Sequence, residues 1–213
     1  MLDMAPRFPP PEHLLPRSSF SRQVIPLQAE GEDMVAEKIS RICTDIRQVQ
    51  DVMRVEINQR DLWNDTMFRG LYIFPIIGDL LAIRVDVDGD DGSGVHLEAF
   101  RLGAILYVNN LRAKFGVDTL PGDPLYAGKL QELLSTSTFV NETPSTLLVW
   151  VLSVAATSQY IPDQRDWFIE LFTEISIREN IGSYGELMAI LTQLVWDESL
   201  LDIQPNVLQA ILG

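Results

Sequence analysis

The sequence has a single cysteine, Cys43, among 213 residues. One cysteine cannot form an intrachain disulfide, and it cannot supply a cysteine-rich zinc site. There are only two histidines, and no nucleophile elbow, phosphate loop or paired-histidine metal motif occurs. His13 lies in a proline-rich stretch, and His96 lies beside Glu98 at the start of a predicted helix, where it caps the helix or faces solvent. We therefore expect no catalytic, cofactor-binding or metal-ligating residues, and no enzyme.

Basic residues are scarce: 16 Lys and Arg stand against 30 Asp and Glu, for a net charge of −14. Most of the imbalance lies in residues 86–213, which hold 6 basic and 18 acidic residues. Neutralisation of phosphates by Lys and Arg supplies most non-specific affinity for nucleic acid. The composition therefore argues against direct DNA binding by this chain.

No apolar run is long enough to span a membrane. The longest runs from Leu147 to Ala156 with Ser153 as its one polar residue, short of the roughly 18 residues a spanning helix needs. Residues 1–16 contain no apolar core of a secretory signal. We expect an intracellular protein with no membrane segment.

Residues 143–175 predict a buried helix, a short polar turn and an amphipathic helix. Thr143 is a candidate N-cap with Pro144 at the first helical position, and the apolar run that follows must be covered on nearly all sides. After Pro162 the apolar residues fall on one helical face, with polar residues opposite. The apolar face comprises Phe168, Leu171, Phe172 and Ile175. The second helix is therefore expected to cover the first.

The N-terminal part predicts a flexible proline-rich lead at 1–29, and a helical domain over 30–213. A long helix from Gly31 onward has apolar residues spaced alternately by four and three, as in a heptad seam. Its members are Val35, Ile39, Ile42, Ile46, Val49 and Met53. The seam predicts either a homodimer contact or packing within the chain; intramolecular packing is favoured because the repeat is short.

Helical spacing resumes over 61–83, and Pro75 predicts a kink or break there. A short strand from Leu80 to Val87 is the alternative. Residues 86–94 form an acidic, glycine-rich linker. Asp86, Asp88 and Asp90 resemble the start of a calcium loop, but the required glycine and closing glutamate are misplaced, so a surface linker is favoured.

Further helices are predicted in the C-terminal half. One has its apolar face at Leu97, Phe100, Ala104, Tyr107, Leu111 and Phe115, and Gly116 can end it. Others cover 125–134, the run after a Ser183–Glu186 capping box, and 206–212. About eight helices and no convincing strand predict an all-α fold, an irregular multi-helix bundle.

Two features leave functional alternatives open. Trp150, Trp167, Trp196 and Tyr107 are candidates for the wall of a ligand cavity, and plain core packing is the favoured alternative. Residues 196–203 mix acidic and bulky apolar side chains, as activation segments do. A terminal helix packed on the domain is the favoured alternative for that stretch.

An apolar helix with Trp150 at its centre, followed by a turn into the Arg165-Asp166-Trp167-Phe168 helix, resembles the C-terminal part of the regulatory domain of fungal zinc-cluster transcription factors. Residues 96–107 resemble the helix of that family with the pattern acidic-Ala-X-Arg-Leu-Gly/Ala-X-X-X-Tyr. Residues 183–187, leading to Leu194-Val195-Trp196, resemble its closing helix. The resemblance covers residues 95–213, in the family's order.

The resemblance implies a regulatory domain in the nucleus, without the cysteine-rich DNA-binding module. Expected partners are proteins of the transcription machinery or a second copy bound through the seam, with a small-molecule effector as a further option. The alternative is a stand-alone helical interaction or ligand-binding protein derived from that domain.

Overall fold

The computed structural model describes residues 32–56, 64–83, 93–113, 123–136, 145–158, 161–201 and 206–212. Within these ranges every regular element is helical, which confirms the predicted all-α class. The eight helices longer than one turn in these ranges are α1 (Glu32–Glu56), α2 (Phe74–Ala82), α3 (Ser93–Ala113), α4 (Asp123–Leu134), α5 (Ser145–Thr157), α6 (Pro162–Arg178), α7 (Tyr184–Leu191) and α8 (Asn206–Leu212). None of the helices in the described ranges is long and apolar enough to cross a membrane.

The chain forms two compact units, residues 1–94 and 95–213. The division falls at the end of the stretch 86–94 that the sequence assigns to a linker. The lead at 1–29, the three aspartates of the calcium-like stretch, the predicted N-cap Thr143 and the predicted stop at Gly116 lie outside the described residues.

In the first unit, α1 packs on α2 and on the turn before it. Four residues of the heptad seam are buried by the chain itself: Ile42, Ile46, Val49 and Met53. Ile39 is half-buried, and the side chain of Val35 lies outside the described residues. This burial supports the intramolecular alternative. A homodimer through the seam stays a prediction, and a second copy would have to reach residues that the chain already covers.

The interruption expected at Pro75 takes the form of a widened turn. Asp65 caps a single helical turn, Thr66–Phe68, by accepting hydrogen bonds from the N–H groups of Met67 and Phe68. A π-helical stretch, Arg69–Ile73, follows. There the N–H of Phe74 donates to the carbonyl of Arg69, five residues back.

Proline explains this geometry, because its ring clashes with the carbonyl four residues earlier in an α-helix and it has no N–H to donate. A π-helical turn inserts an extra residue and removes both conflicts. Pro75 then lies in the first turn of α2. The alternative of a strand is wrong for Leu80, Leu81 and Ala82, which are helical.

In the second unit, α5 and α6 form the predicted hairpin. Every residue from Leu147 to Ser158 is buried. Two of the three polar members of this run lie in the helix and bond to its backbone: the hydroxyl of Ser153 donates to the carbonyl of Val149 at 2.8 Å, and that of Thr157 to the carbonyl of Ser153 at 2.7 Å. These two side chains are tolerated inside an apolar helix because their donors are satisfied. The third, Ser158, follows the helix, and its buried hydroxyl has no partner among the described residues.

The α6 helix covers α5 with Phe168, Phe172 and Ile175, all buried, while Leu171 is half-buried. The turn between the two helices is fastened by Arg165, whose Nε donates to the carbonyl of Ala156 at 3.1 Å. The helix ends at Arg178 with Glu179 as its C-cap, and the next residue, Asn180, has a left-handed φ of 56°. Beyond it, the N–H of Ile181 donates to the carbonyl of Ser176 at 2.9 Å, which is the bond of a Schellman cap.

The capping box predicted at α7 is present in a modified form. The hydroxyl of Ser183 accepts from the N–H of Glu186, as expected. The carboxylate of Glu186 accepts from the N–H of Gly182 at 2.8 Å, one residue before the cap. Both polar groups at the start of the helix are satisfied, so α7 begins where the sequence places it.

Candidate functional site

Aromatic rings from three elements meet in the core of the second unit. Trp150 of α5 lies against Phe100 and Tyr107 of α3, with ring centroids 5.6 and 5.9 Å apart. Tyr107 also contacts Trp196, which follows α7, at 6.0 Å. Phe100, Tyr107 and Trp150 are fully buried, and Trp196 is nearly so. These four residues are called the aromatic cluster below.

Residue spacing on α3 brings the cluster together. Phe100 and Tyr107 are seven residues apart, so they lie on one helical face two turns from each other. Gly103 lies between them. A methyl group added there would come within 3.0 Å of Cζ3 of Trp150 and 3.2 Å of Cγ2 of Val151. The absence of a side chain at Gly103 therefore allows α5 to approach α3 closely.

The polar atoms of the cluster fasten the chain that follows α7. The indole Nε1 of Trp150 donates to the carbonyl of Val195 at 2.6 Å. The N–H of Asp197 donates to the hydroxyl of Tyr107 at 3.1 Å. These bonds join positions 45 and 90 residues apart in sequence. The cluster thus combines apolar packing with fixed backbone contacts.

One polar atom of the cluster has no partner in the described part of the chain. The indole Nε1 of Trp196 is buried and makes no hydrogen bond there. A buried donor without an acceptor costs about 1 to 3 kcal/mol, since water satisfies it in the unfolded chain. Burial of Trp196 therefore carries a free-energy cost that burial of Trp150 does not, because the indole N–H of Trp150 is hydrogen-bonded.

An ion pair with a buried arginine brackets Phe100 on α3. Arg101 is 4% exposed and donates to Glu98 twice: Nε to Oε2 at 2.6 Å and Nη2 to Oε1 at 2.7 Å. In this bidentate geometry, the guanidinium N–H groups that face the carboxylate are both hydrogen-bonded. The acidic residue and the arginine of the pattern at 98–107 are therefore partners, and its tyrosine is the residue that holds Asp197.

The structure brings together three of the four aromatic residues named as candidates for a cavity wall. Trp167 lies elsewhere on α6, half-buried, with its ring edge-on to Phe168 at 5.0 Å. The other three pack against one another with Phe100, which the cavity hypothesis did not include. The sequence periodicity places Phe100 on the same helical face as Tyr107, and this pattern could have identified Phe100 as part of the aromatic cluster. The ligand cavity itself stays a prediction.

Two residues considered for catalysis, His96 and Cys43, are not members of the cluster, and the third, His13, lies outside the described residues. His96 is half-buried on α3, and Cys43 is buried on α1. Burial raises the pKa of the Cys43 thiol from 9.0 to about 11, against a smaller lowering by Arg47. A thiol with a raised pKa is a poor nucleophile at neutral pH. Within the described ranges, no group of three or more His, Cys, Asp or Glu residues is placed to hold a metal ion.

Residues 196–201 pack on the second unit. Trp196, Leu200 and Leu201 are buried, whereas Glu198 and Ser199 are exposed. A short 3₁₀ turn, Glu198–Leu200, is capped by the carboxylate of Asp197, which accepts from the N–H of Ser199 at 3.0 Å. The segment is therefore packed as the favoured alternative expects, although as an extended stretch and a 3₁₀ turn. Asp202 and Ile203 lie outside the described residues.

The exposed side of α6 is acidic. Asp163, Asp166, Glu170 and Glu174 are exposed and spaced by three, four and four, which places them on one face. No lysine follows Lys129, and residues 136–213 hold two arginines, Arg165 and Arg178, against ten acidic residues. This part of the surface repels phosphate.

Comparison with known protein families gives a match over more than half of the chain. The family model described as "Fungal specific transcription factor domain" matches residues 80–203. That range includes all four residues of the aromatic cluster and the Glu98–Arg101 pair. No match was found among curated proteins or among solved structures.

Proposed function

Because the chain belongs to the family of the fungal specific transcription factor domain, we propose that it is a regulatory and effector domain that acts through protein or small-molecule contacts. The observation that carries the proposal is the match over residues 80–203. Most of the buried core of the second unit lies in that range, with its ion pair and its aromatic cluster. The part of the chain that matches the family is thus mainly a folded helical unit, and we assign the transcription regulatory role to that unit.

Charge supports action without DNA contact by this chain. Residues 86–213 carry a net charge of −12, and the exposed face of α6 presents four carboxylates. DNA binding needs the opposite sign, because affinity comes largely from release of counterions by basic side chains. The sequence given also holds too few cysteines for a zinc-cluster DNA-binding module.

The proposed partners are proteins of the transcription machinery. An acidic surface suits partners with basic surfaces, since complementary charge speeds association and rejects wrong partners. A second copy of the chain and a small-molecule effector remain further proposals. The proposed location is the nucleus, where such partners act, and the proposed role is not enzymatic.

The alternative is a stand-alone helical interaction or ligand-binding protein derived from the same domain. Such a protein would reach promoters only through another protein or would act away from them. The two functions differ in whether tethering to a promoter changes transcription.

A tethering assay tests the proposal. The full chain is fused to a heterologous DNA-binding module whose site lies upstream of a reporter gene in fungal cells. We expect reporter output to change several-fold, in either direction, relative to the module alone. The matched variants are Trp150→Ala, which removes the centre of the cluster, and Trp167→Ala, which removes a half-buried tryptophan outside it.

The effect should be lost in the Trp150→Ala fusion and kept in the Trp167→Ala fusion at equal protein levels. Reporter output equal to that of the module alone, from a wild-type fusion that is folded and nuclear, would reject the transcriptional role. That result would favour the stand-alone alternative.

A further inference from the structure

Helix α2 of the first unit is apolar on nearly every side, but only one side is covered. Asp79 is the one polar residue among its nine, and its Oδ2 lies 4.0 Å from Nη2 of Arg41 on α1. Ile76 and Leu80 are buried on the covered side. A helix that is apolar all round is normally covered all round. The opposite side, where Phe74 is 59% exposed, is therefore expected to pack against a partner.

The exposed side of α2 continues onto the chain before it. Ile77 lies three residues after Phe74, on the same side of α2, and is half-buried. Gly70 lies four residues before Phe74, about one turn of the π-helical stretch. Met67, in the single turn before that stretch, is 61% exposed. These four residues, Met67, Gly70, Phe74 and Ile77, are called the outer face below. A cluster of exposed large apolar side chains is typical of an interaction site.

The outer face has a large side chain next to an open space. A Cβ atom built at Gly70 meets no atom within 4 Å. The exposed ring of Phe74 lies about one turn further along the same side. When two identical helices pack antiparallel, a ring and a notch placed in this way can meet twice, because each copy's ring lies over the other copy's notch. A contact of this kind has the self-complementary form of a two-fold interface.

Charge favours contact between copies at the outer face over contact at the acidic surfaces. Each chain has a net charge of −14, so two copies repel where their acidic surfaces meet. Residues 66–78 include a single charged residue, Arg69, and no carboxylate. A basic partner of the kind that suits α6 would therefore find no opposite charge in this stretch. Apolar shape selects the occupant here, and a second copy supplies the matching shape.

We propose that the outer face binds a second copy of this chain in an antiparallel contact, with Phe74 of each copy over Gly70 of the other. The same register brings Met67 of one copy level with Ile77 of the other. The contact does not use the heptad seam of α1, most of which the chain itself buries. The dimer rests on the geometry of the first unit alone and not on the transcriptional role.

The proposed dimer is weak and reversible. One short helix per copy covers far less than the roughly 1,600 Å² of a standard stable interface. Interfaces at the low end of the size range belong to transient complexes, so we expect a dissociation constant on the order of 10 to 100 μM. Raising the salt concentration should tighten the dimer, because it screens the repulsion between two acidic chains. An ionic contact would weaken instead, and that result would contradict an apolar interface.

Sedimentation of the full chain in the analytical ultracentrifuge tests the dimer, over about 1 to 200 μM protein to bracket the expected dissociation constant. The weight-average mass should rise from that of one chain toward that of two. Phe74→Ser should raise the dissociation constant at least about thirtyfold, because a central aromatic side chain is a typical hot spot. Val55→Ser is the matched control. Val55 is 67% exposed and lies two residues from buried Met53, on the far side of α1, so its loss should change nothing.

A mixing experiment tests the position of Phe74 over Gly70. Gly70→Ala fills the notch with a methyl group that meets nothing within 4 Å in the single chain. Overpacking of the contact should raise the dissociation constant about tenfold. Phe74→Ser keeps the notch and lacks the ring. An equimolar mixture of the two variants should form a mixed dimer more tightly than either variant dimerises alone, because one ring then meets one open notch.

Urea denaturation of the dilute variants separates loss of the dimer from loss of the fold, and all three should unfold at the wild-type midpoint. A dimer that Phe74→Ser does not weaken would lie elsewhere, as at the heptad seam, and would overturn the proposal. A mixture that associates no more tightly than the single variants would overturn the ring-and-notch contact.

A wild-type chain that stays monomeric throughout the concentration range would overturn the dimer and leave the transcriptional role standing, since the tethering assay tests that role separately. If the chain is monomeric and Phe74→Ser nevertheless abolishes the reporter effect of the tethered fusion, the outer face binds another protein and the second copy is wrong.

Discussion

At Trp150 the ring and the N–H of one side chain serve different parts of the second unit. The ring packs against Phe100 and Tyr107 of α3, and Nε1 holds the carbonyl of Val195 at 2.6 Å. An aliphatic side chain at this position could fill the same space but could not donate a hydrogen bond. Tryptophan does both, so it joins α3 and α5 to the chain that follows α7. Trp150, the central residue of the aromatic cluster, therefore also binds the chain that follows α7.

Removal of this side chain should be costly. We expect Trp150→Ala to lower the free energy of unfolding by about 3 to 5 kcal/mol, since a large buried aromatic leaves a cavity. Trp167→Ala should lower it by about 1 to 2 kcal/mol, because that ring is half-buried. Urea denaturation of both variants makes the comparison. A loss below about 1 kcal/mol for Trp150→Ala would mean that α5 is not central to the fold.

Cys43 predicts a pH dependence of stability. Burial raises the pKa of its thiol to about 11 from 9.0 in the free residue. The folded chain therefore holds the thiol proton more tightly than the unfolded chain does. This contribution to stability is fully present below about pH 9, and it is lost as the pH rises from 9 to 11.

Urea denaturation at pH 7 and pH 10.5 should show the effect, with Cys43→Ala as the control for other groups that titrate there. Wild type should lose about 2 kcal/mol more than the variant between these two pH values. Equal losses in the two proteins would show that the thiol proton is not held by the fold.

At the scale of elements, the contact between α3 and α5 depends on a glycine. A methyl group at Gly103 would lie 3.0 Å from the ring of Trp150, whereas one at Gly128, on α4, meets nothing within 4 Å. Both glycines lie inside helices, where alanine gains about 1 kcal/mol in propensity. Replacement of glycine by alanine should therefore destabilise the fold at Gly103 and stabilise it at Gly128.

We expect Gly103→Ala to lower the free energy of unfolding by about 1 kcal/mol, because overpacking costs about 1 to 3 kcal/mol and exceeds the gain in propensity. Gly128→Ala should raise it by about 0.5 to 1 kcal/mol. Thermal or urea unfolding of the pair measures the difference. A stabilised Gly103→Ala variant would show that the two helices do not approach as closely as described.

Helices were predictable from the sequence where their signals are local. The bounds of α8, the cap at Ser183 and the buried run of α5 all follow from residues within one or two turns. At Pro75 the sequence predicted an interruption but not its form, because a kink, a break and a π-helical turn all relieve the same clash. The π-helical stretch contacts α1, and spacing along the chain does not encode that contact.

Three of the four residues of the aromatic cluster were named from the sequence, but the geometry of the cluster was not predictable. Periodicity places Tyr107 and Trp150 in the core, yet it says nothing of which atoms they bind. Tyr107 reaches Asp197 across 90 residues, and Trp150 reaches Val195 across 45. Trp167, a candidate for the same cavity wall as Trp150, lies half-buried on α6. Partners distant in sequence are fixed by topology, which single-chain periodicity does not report.

On the scale of the whole molecule, charge supports the proposed type of partner. The net charge of −14 is carried mainly by residues 86–213, the part that contains most of the family match. A large excess of one sign keeps a protein soluble and steers it toward partners of opposite charge. Basic protein surfaces fit this requirement, and the phosphate backbone of DNA does not.

The central claim is that this chain acts through partners and does not itself hold DNA. Fluorescence anisotropy of labelled duplex DNA, titrated with the folded full chain at physiological salt, tests it most directly. We predict no rise in anisotropy up to about 10 μM protein, a concentration at which DNA-binding proteins already bind non-specifically. Sequence-selective binding at submicromolar protein that weakens as salt is added would contradict the account.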